Sequence, residues 1–449
     1  MKRVFKASIL GLASCGMAAA LTMPSFASTK TAPPLEIAWG VYPAFTRNFN
    51  PFSSSQMGAT GEMYEPLFYF DDVAPRVEPL LGQSFAWSHH NTILTVRLRK
   101  GVKWSNGIAF TAQDVVFTFD LLKRNPALDT NGVWSKLASV KASGADAVVF
   151  QFKKADVPFE WYVLGKTPIV PEKIWSKVGN PSKFLNPHPV ISGPYLLQTF
   201  NSQEYTLTPN ARYWGGRPQV PQLVLPLFTS GASGEPVFAS GKIGWGAWYL
   251  PNAKKLYVNA DPQHNKYWFP AAAPVMLYPN LKNPLLGQLV VRKAISEALD
   301  RRKLDLLAES GYEVPANPTL LSPTNGNQRP WVDAQTMKAY ASSYQYNPAA
   351  AIKLLTKAGF HRNPSGTFVS PSGKPLKFTI LGVSGLEAWD AQLSLMASEL
   401  KHVGIDVQVN LVTGTGQYSA LLKGNFQLAM SEPGAGPTPY TMYKGLRLQ

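Results

Sequence analysis

The sequence is short of cysteine, of acidic residues and of long apolar runs, and each shortage removes a class of explanation. Its single cysteine, Cys15, excludes an internal disulfide framework and a cysteine-ligated metal. Asp and Glu total 27 against 43 Lys and Arg, a formal charge of +16, and only 16% of residues are charged. The densest basic groups, Arg97-Arg99-Lys100-Lys103 and Arg301-Arg302-Lys303, fall on a strand face and at a helix end, where solvated surface explains them better than nucleic-acid binding. Scarce carboxylates also suit a protein working outside the cell at low pH, with fewer paired acids to protonate.

Signatures of catalysis are missing as well. The histidines at 89, 90, 188, 264, 361 and 402 show no ligand spacing, and His89-His90 reads as a surface turn. No G-x-x-x-x-G-K-[ST] occurs, so any ATPase must be another chain. Gly382-Val383-Ser384-Gly385 falls one residue short of a nucleophile elbow. The expectation is a protein with no catalytic residues, no metal and no cofactor, which argues against a secreted hydrolase.

What is present begins with an address. Met1-Lys2-Arg3 to Lys6 is basic, Ala7 to Met23 is apolar, and Pro24-Ser25-Phe26-Ala27 ends in small-x-small, the order of a secretory signal peptide cleaved after Ala27. Leu12-Ala13-Ser14-Cys15 also resembles a lipobox that would place a lipid on Cys15. Either route exports the protein to the periplasm or the outer face of the cytoplasmic membrane. No later stretch is long and apolar enough to span a bilayer.

At 449 residues the chain exceeds a single core. Its central stretch runs from Thr92 to Asn125. Leu94, Val96 and Leu98 alternate with Thr95, Arg97 and Arg99, predicting a half-buried strand. Lys100-Gly101 turns the chain, Val102-Lys103-Trp104 predicts a short second strand, and Asn106-Gly107 a tight reversal. Thr111 with Asp114 predicts a capped helix burying Val115, Phe119 and Leu122.

This unit resembles the family 5 extracellular solute-binding proteins, the dipeptide- and oligopeptide-binding components of ABC importers. Other segments carry the same resemblance in order: Asn48-Phe49-Asn50-Pro51, Tyr64-Glu65-Pro66-Leu67, Ser192-Gly193-Pro194-Tyr195, Asn210-Ala211-Arg212-Tyr213-Trp214, Val291 to Arg301, and Asn347-Pro348 to Gly359. Lys377–Leu381, a helix bearing Trp389, Leu393, Met396 and Leu400, and a strand through Ile405 to Leu411 predict a parallel crossover.

The resemblance implies an α/β, two-lobed periplasmic-binding-protein-like fold (type II) with mixed sheets and a cleft between the lobes. Residues 28–61 and 188–278 would form the first lobe, 62–187 its extra subdomain and 281–449 the second lobe, hinged near Tyr278 to Pro284. In the family the chain runs on past the point matching Gln449, so the sequence reads as partial, with the second lobe incomplete at its C-terminal end.

By resemblance, the function is capture of dipeptides or oligopeptides and delivery to ABC permease subunits and, through them, an ATPase. The protein itself would be a monomer that binds no nucleic acid. Oligosaccharide binding is the alternative, and a chemosensory role without transport stays open. Candidate ligand residues are Trp245, Trp248, Tyr249, Asn280, Trp389, Glu432, Gly434 and Tyr440. Rings would stack on the ligand in a site that excludes water. Peptide-binding relatives place an aspartate in the glycine-rich segment matching Met430 to Tyr440, where only Glu432 is acidic here. Either Glu432 receives the peptide ammonium or the ligand has none.

Overall fold

The structure, a computed structural model, describes residues 32–445. The export segment and Cys15 lie outside those residues. The chain enters through β1 (Leu35–Ala38). It then builds the subdomain around the central stretch. β2 (Gly82–Ser88) and β3 (Ile93–Leu98) pair antiparallel across a turn where His89, His90 and Asn91 all take positive φ.

Leu94, Val96 and Leu98 are buried, as the alternation requires. Val102–Trp104 does not form the predicted strand. Lys103 makes one isolated bridge to Ala109, because the reversal at Gly107 leaves no room for a longer ladder. α1 (Ala112–Arg124) starts with a capping box: Thr111 Oγ1 accepts from Gln113 N at 3.3 Å, and Asp114 Oδ2 accepts from Thr111 N at 2.9 Å. Its face of Val115, Phe119 and Leu122 is buried against the sheet completed by β4 (Leu137–Ala142) and β5 (Ala147–Phe152), in the order β2-β3-β5-β4.

The first lobe closes with β6 (Tyr195–Phe200), β7 (Glu204–Pro209), β8 (Leu223–Pro226), α2 (Gly231–Ala239) and β9 (Trp245–Gly246). Their sheet runs β9-β1-β8-β7-β6, with β1 parallel to both β8 and β9. One apolar core joins this sheet to the subdomain. Phe49, for example, meets Phe200 and Tyr205 edge-on, with ring centres 5.9 Å apart in each pair.

The second lobe is built on β10 (Met276–Pro279), α3 (Leu289–Ala298), α4 (Arg301–Ala308), α5 (Pro348–Lys357), β11 (Lys377–Val383), α6 (Glu387–His402), β12 (Asp406–Val412) and β13 (Leu428–Ser431). The sheet order is β10-β13-β11-β12, with β11 parallel to β12 and β13. α5 starts where Asn347 Oδ1 accepts from Ala350 N at 2.9 Å, with Pro348 in its first turn. A separate core of Val291, Ile295, Leu355, Ile380, Leu393 and Leu400 lies beneath this sheet.

A boundary at 278 and a hinge at 278–284 need correction. Tyr278 pairs with Ala429 in the second sheet, so β10 already belongs to the second lobe. The chain crosses between lobes ahead of Met276 and again after Ser431, and Pro279-Asn280 marks the end of a strand rather than the crossing.

Candidate functional site

In sheets of this kind, ligands gather at the carboxyl ends of the parallel strands, where loops leave for helices. β8 leads into α2 and β11 into α6. These two ends meet: Glu387, at the start of α6, accepts from Ala232 N in the first turn of α2 at 3.1 Å. The lobes therefore face each other across the ends of β8, β9, β11 and β13, with the crossing after Ser431 alongside.

Of the candidate residues, Trp245 opens the two-residue strand β9 with half of its surface exposed, its ring 5.6 Å from that of Trp39. Tyr249 bridges toward the second lobe, donating to the Ala308 carbonyl at 2.8 Å beside Ser310 Oγ. Glu432 and Gly434 lie on the crossing after β13, with Gly434 at φ 96°. Tyr440, in α7 (Pro439–Gly445), turns toward the first lobe. Its hydroxyl lies 3.3 Å from Asp156 Oδ2, and Lys136 pairs with the same carboxylate at 2.7 Å.

Three other candidates make packing or backbone contacts within one lobe. Trp248 packs between Phe228 and Phe238 in a small first-lobe core, ring centres 5.0 and 5.7 Å away. Trp389 is half-buried against the second core. Asn280 follows β10, whose last residue Pro279 pairs with Leu428 where β13 begins, and so lies at the far end of the sheet from Glu432. Its amide nitrogen donates to the carbonyls of Gly424 and Phe426 at 2.9 and 2.8 Å, which uses both of its hydrogens within the second lobe.

The electrostatics centre on acids that sequence reasoning passed over. A cavity of about 150 Å³ is lined by Asp305, Glu309, Glu313, Gln392 and Arg301. Arg301 is engaged elsewhere: its guanidinium donates to Ser296 O and Ser296 Oγ at 3.0 and 2.8 Å and lies over the Tyr344 ring. Glu309 is only 8% exposed and takes a hydrogen bond from Gln392.

Burial pushes the Glu309 carboxyl up to about 7, and the neighbouring Glu313 and Asp305 add to the rise while Gln392 opposes it. Burial and Asp305 raise Glu313. Glu432, exposed like Glu313, is raised by partial desolvation and by Glu313. Carboxylates from α4, from the loop after it and from the crossing after β13 thus share one field with no basic partner among them. A cation entering there would lower the energy of all of them. No group of three or more His, Cys, Asp or Glu among the described residues is arranged to hold a metal ion.

Trp39, Glu309, Glu313 and Glu387 are the residues missed. Trp39 directly follows β1. The acids carry no local motif, since Asp305, Glu309 and Glu313 straddle the end of a helix and Glu387 contacts a residue 155 positions away.

Residues 76–447 match the model of the bacterial extracellular solute-binding proteins, family 5. The chain belongs to this family. Its members are extracellular solute-binding proteins of transport systems rather than enzymes. Among curated relatives, the oligopeptide-binding protein AppA of Bacillus subtilis is 26% identical over 337 residues, 73% of this chain but 59% of its own length. The chain therefore spans less than two thirds of that relative.

The nickel-binding periplasmic protein of Escherichia coli is 24% identical over 450 residues, covering 96% of this chain and 81% of its own. Among solved structures, a periplasmic oligopeptide-binding protein of Thermotoga maritima with bound mannohexaose superposes with a TM-score of 0.81 at 26% identity, over 92% of this chain and 78% of that one. AppA of Bacillus subtilis in complex with a nonapeptide gives a TM-score of 0.71 at 24% identity, over 89% and 79%.

Proposed function

We propose that this family 5 protein captures short peptides between its two lobes, outside the cytoplasmic membrane, and delivers them to the permease of an ABC importer. The observation that carries the reading is the uncompensated acid group of Glu309, Glu313 and Glu432 beside the crossing after β13. A peptide brings an ammonium that can meet these carboxylates, and an unpaired charge in a closed site is costly. AppA, crystallised with a nonapeptide, supports the peptide class by similarity.

The segments that carry the binding role are the ends of β9 and β13, with Trp245, Tyr249, Glu432, Gly434 and Tyr440 as ligand-facing residues. Residues 62–187 act as a subdomain of the first lobe. The protein works as a monomer, exported by its N-terminal address and lipid-anchored if Cys15 is modified.

A second reading, an oligosaccharide ligand, is favoured by the exposed Trp245 ring tilted against Trp39. Sugar faces stack on such rings, and a relative holds mannohexaose. Calorimetric titration with di- to nonapeptides and with manno-oligosaccharides separates the two. Saturable heat with peptides alone supports the first reading, and heat with sugars alone replaces it by the second.

A further inference from the structure

The contact between Glu387 and Ala232 differs from the other joins between the lobes. Asn325 donates to the carbonyls of Asp72 and Ala271, the latter on the segment that crosses ahead of Met276, where the lobes stay adjacent whether the cleft is open or shut. Glu387 and Ala232 instead follow directly on β11 and β8, at the strand ends that must part when a two-lobed protein opens.

The chemistry is that of a catch. α2 runs nine residues from a Ser230–Ser233 capping box, and Ala232 N is one of the amides its helix cannot use internally. A carboxylate at that end gains both the hydrogen bond and the helix dipole. Glu387 forms no ion pair among the described residues, so the α2 terminus is its stabilising partner. Glycine at 231 makes the approach possible: a β-carbon there would overlap the Glu387 carboxylate.

We propose that Glu387 and the N-terminus of α2 form a latch that holds the lobes shut independently of ligand. It makes closed protein a populated state of the empty molecule and slows ligand release. Apparent affinity scales with the fraction of molecules already competent to bind. Losing a charge-assisted hydrogen bond of this kind weakens binding by up to about tenfold, expressed in the dissociation rate. The inference rests on the two-lobed closing motion and not on which ligand is bound.

The test places donor and acceptor dyes on cysteines introduced at the exposed Ser202 and Lys401, one on each lobe, with Cys15 replaced. Interlobe distances are read in the ligand-free protein. Glu387→Ala is expected to shift the distribution toward longer distances with its melting temperature little changed, and Glu387→Gln to shift it less. Gly231→Ala attacks the latch from the other side while keeping the charge, and is expected to open the lobes as well. Distances in Glu387→Ala and Gly231→Ala equal to those of the parent protein would overturn the latch. Because the readout needs no ligand, that result leaves the peptide reading intact, and a failure to bind peptide leaves the latch intact.

Discussion

The indole nitrogen of Trp214 lies 3.1 Å from both carboxylate oxygens of Glu65, joining two family segments 149 residues apart. Tyr213 adds a hydrogen bond to the same carboxylate at 3.3 Å, and Arg99 stacks over the Trp214 ring at 3.8 Å. The strand of the central stretch, the Tyr64-Glu65-Pro66-Leu67 segment and the Tyr213-Trp214 pair therefore meet around one buried carboxyl.

Burial holds the Glu65 carboxyl at about 7 against an ordinary value of 4.5, with the donors Trp214, Ser192 and Tyr213 opposing the rise. The native state therefore binds this proton more tightly than the unfolded chain does. Its stabilising share is complete below about 4.5 and is lost as pH rises through 7, and Glu309 acts in the same direction. Melting temperature should rise as pH falls from 8 to 5, and Glu65→Gln should flatten that slope by up to about 3 kcal/mol across the window. A slope that Glu65→Gln leaves unchanged contradicts the assignment.

Gly193 should tolerate no side chain. Its amide donates to Met63 O at 3.0 Å, its carbonyl accepts from Asn210 Nδ2 at 2.9 Å, and a β-carbon would strike the Glu62 carbonyl. Gly193→Ala should destabilise by about 2–4 kcal/mol, measured by urea unfolding, and Asn210→Ala by about 1–3 kcal/mol through the buried amide it leaves unpaired.

Asn280 separates a structural from a ligand role. With both amide hydrogens on the Gly424 and Phe426 carbonyls, Asn280→Ala should lower the melting temperature and leave ligand affinity unchanged where the protein is folded. Calorimetry below the transition checks this.

How far the fold was legible depends on the range of each interaction. The capped helix after Thr111, the Asn347-Pro348 start and the β11-α6-β12 crossover were readable because cap, period and chirality are local or nearly so. The second-lobe membership of β10 was not, because it is fixed by pairing between Tyr278 and Ala429. The site divided in the same way. Trp245 and Glu432 could be nominated from strand ends, whereas Trp248 looked identical in sequence and is core because Phe228 and Phe238 fold over it. Asp305, Glu309 and Glu313 read as ordinary solvated charges until the lobe gathers them around one cavity.

The most direct test of peptide capture is a calorimetric comparison of one peptide with its N-acetylated form, run at pH 8 and pH 5 on the parent protein and on Glu313→Gln with Glu432→Gln. Capture through the acid group predicts tight binding of the free amine at pH 8. Binding should weaken toward pH 5 as Glu309, raised to about 7, takes its proton, and drop about tenfold or more on acetylation or in the double variant. Equal affinity for the free and acetylated peptides at both pH values would contradict it.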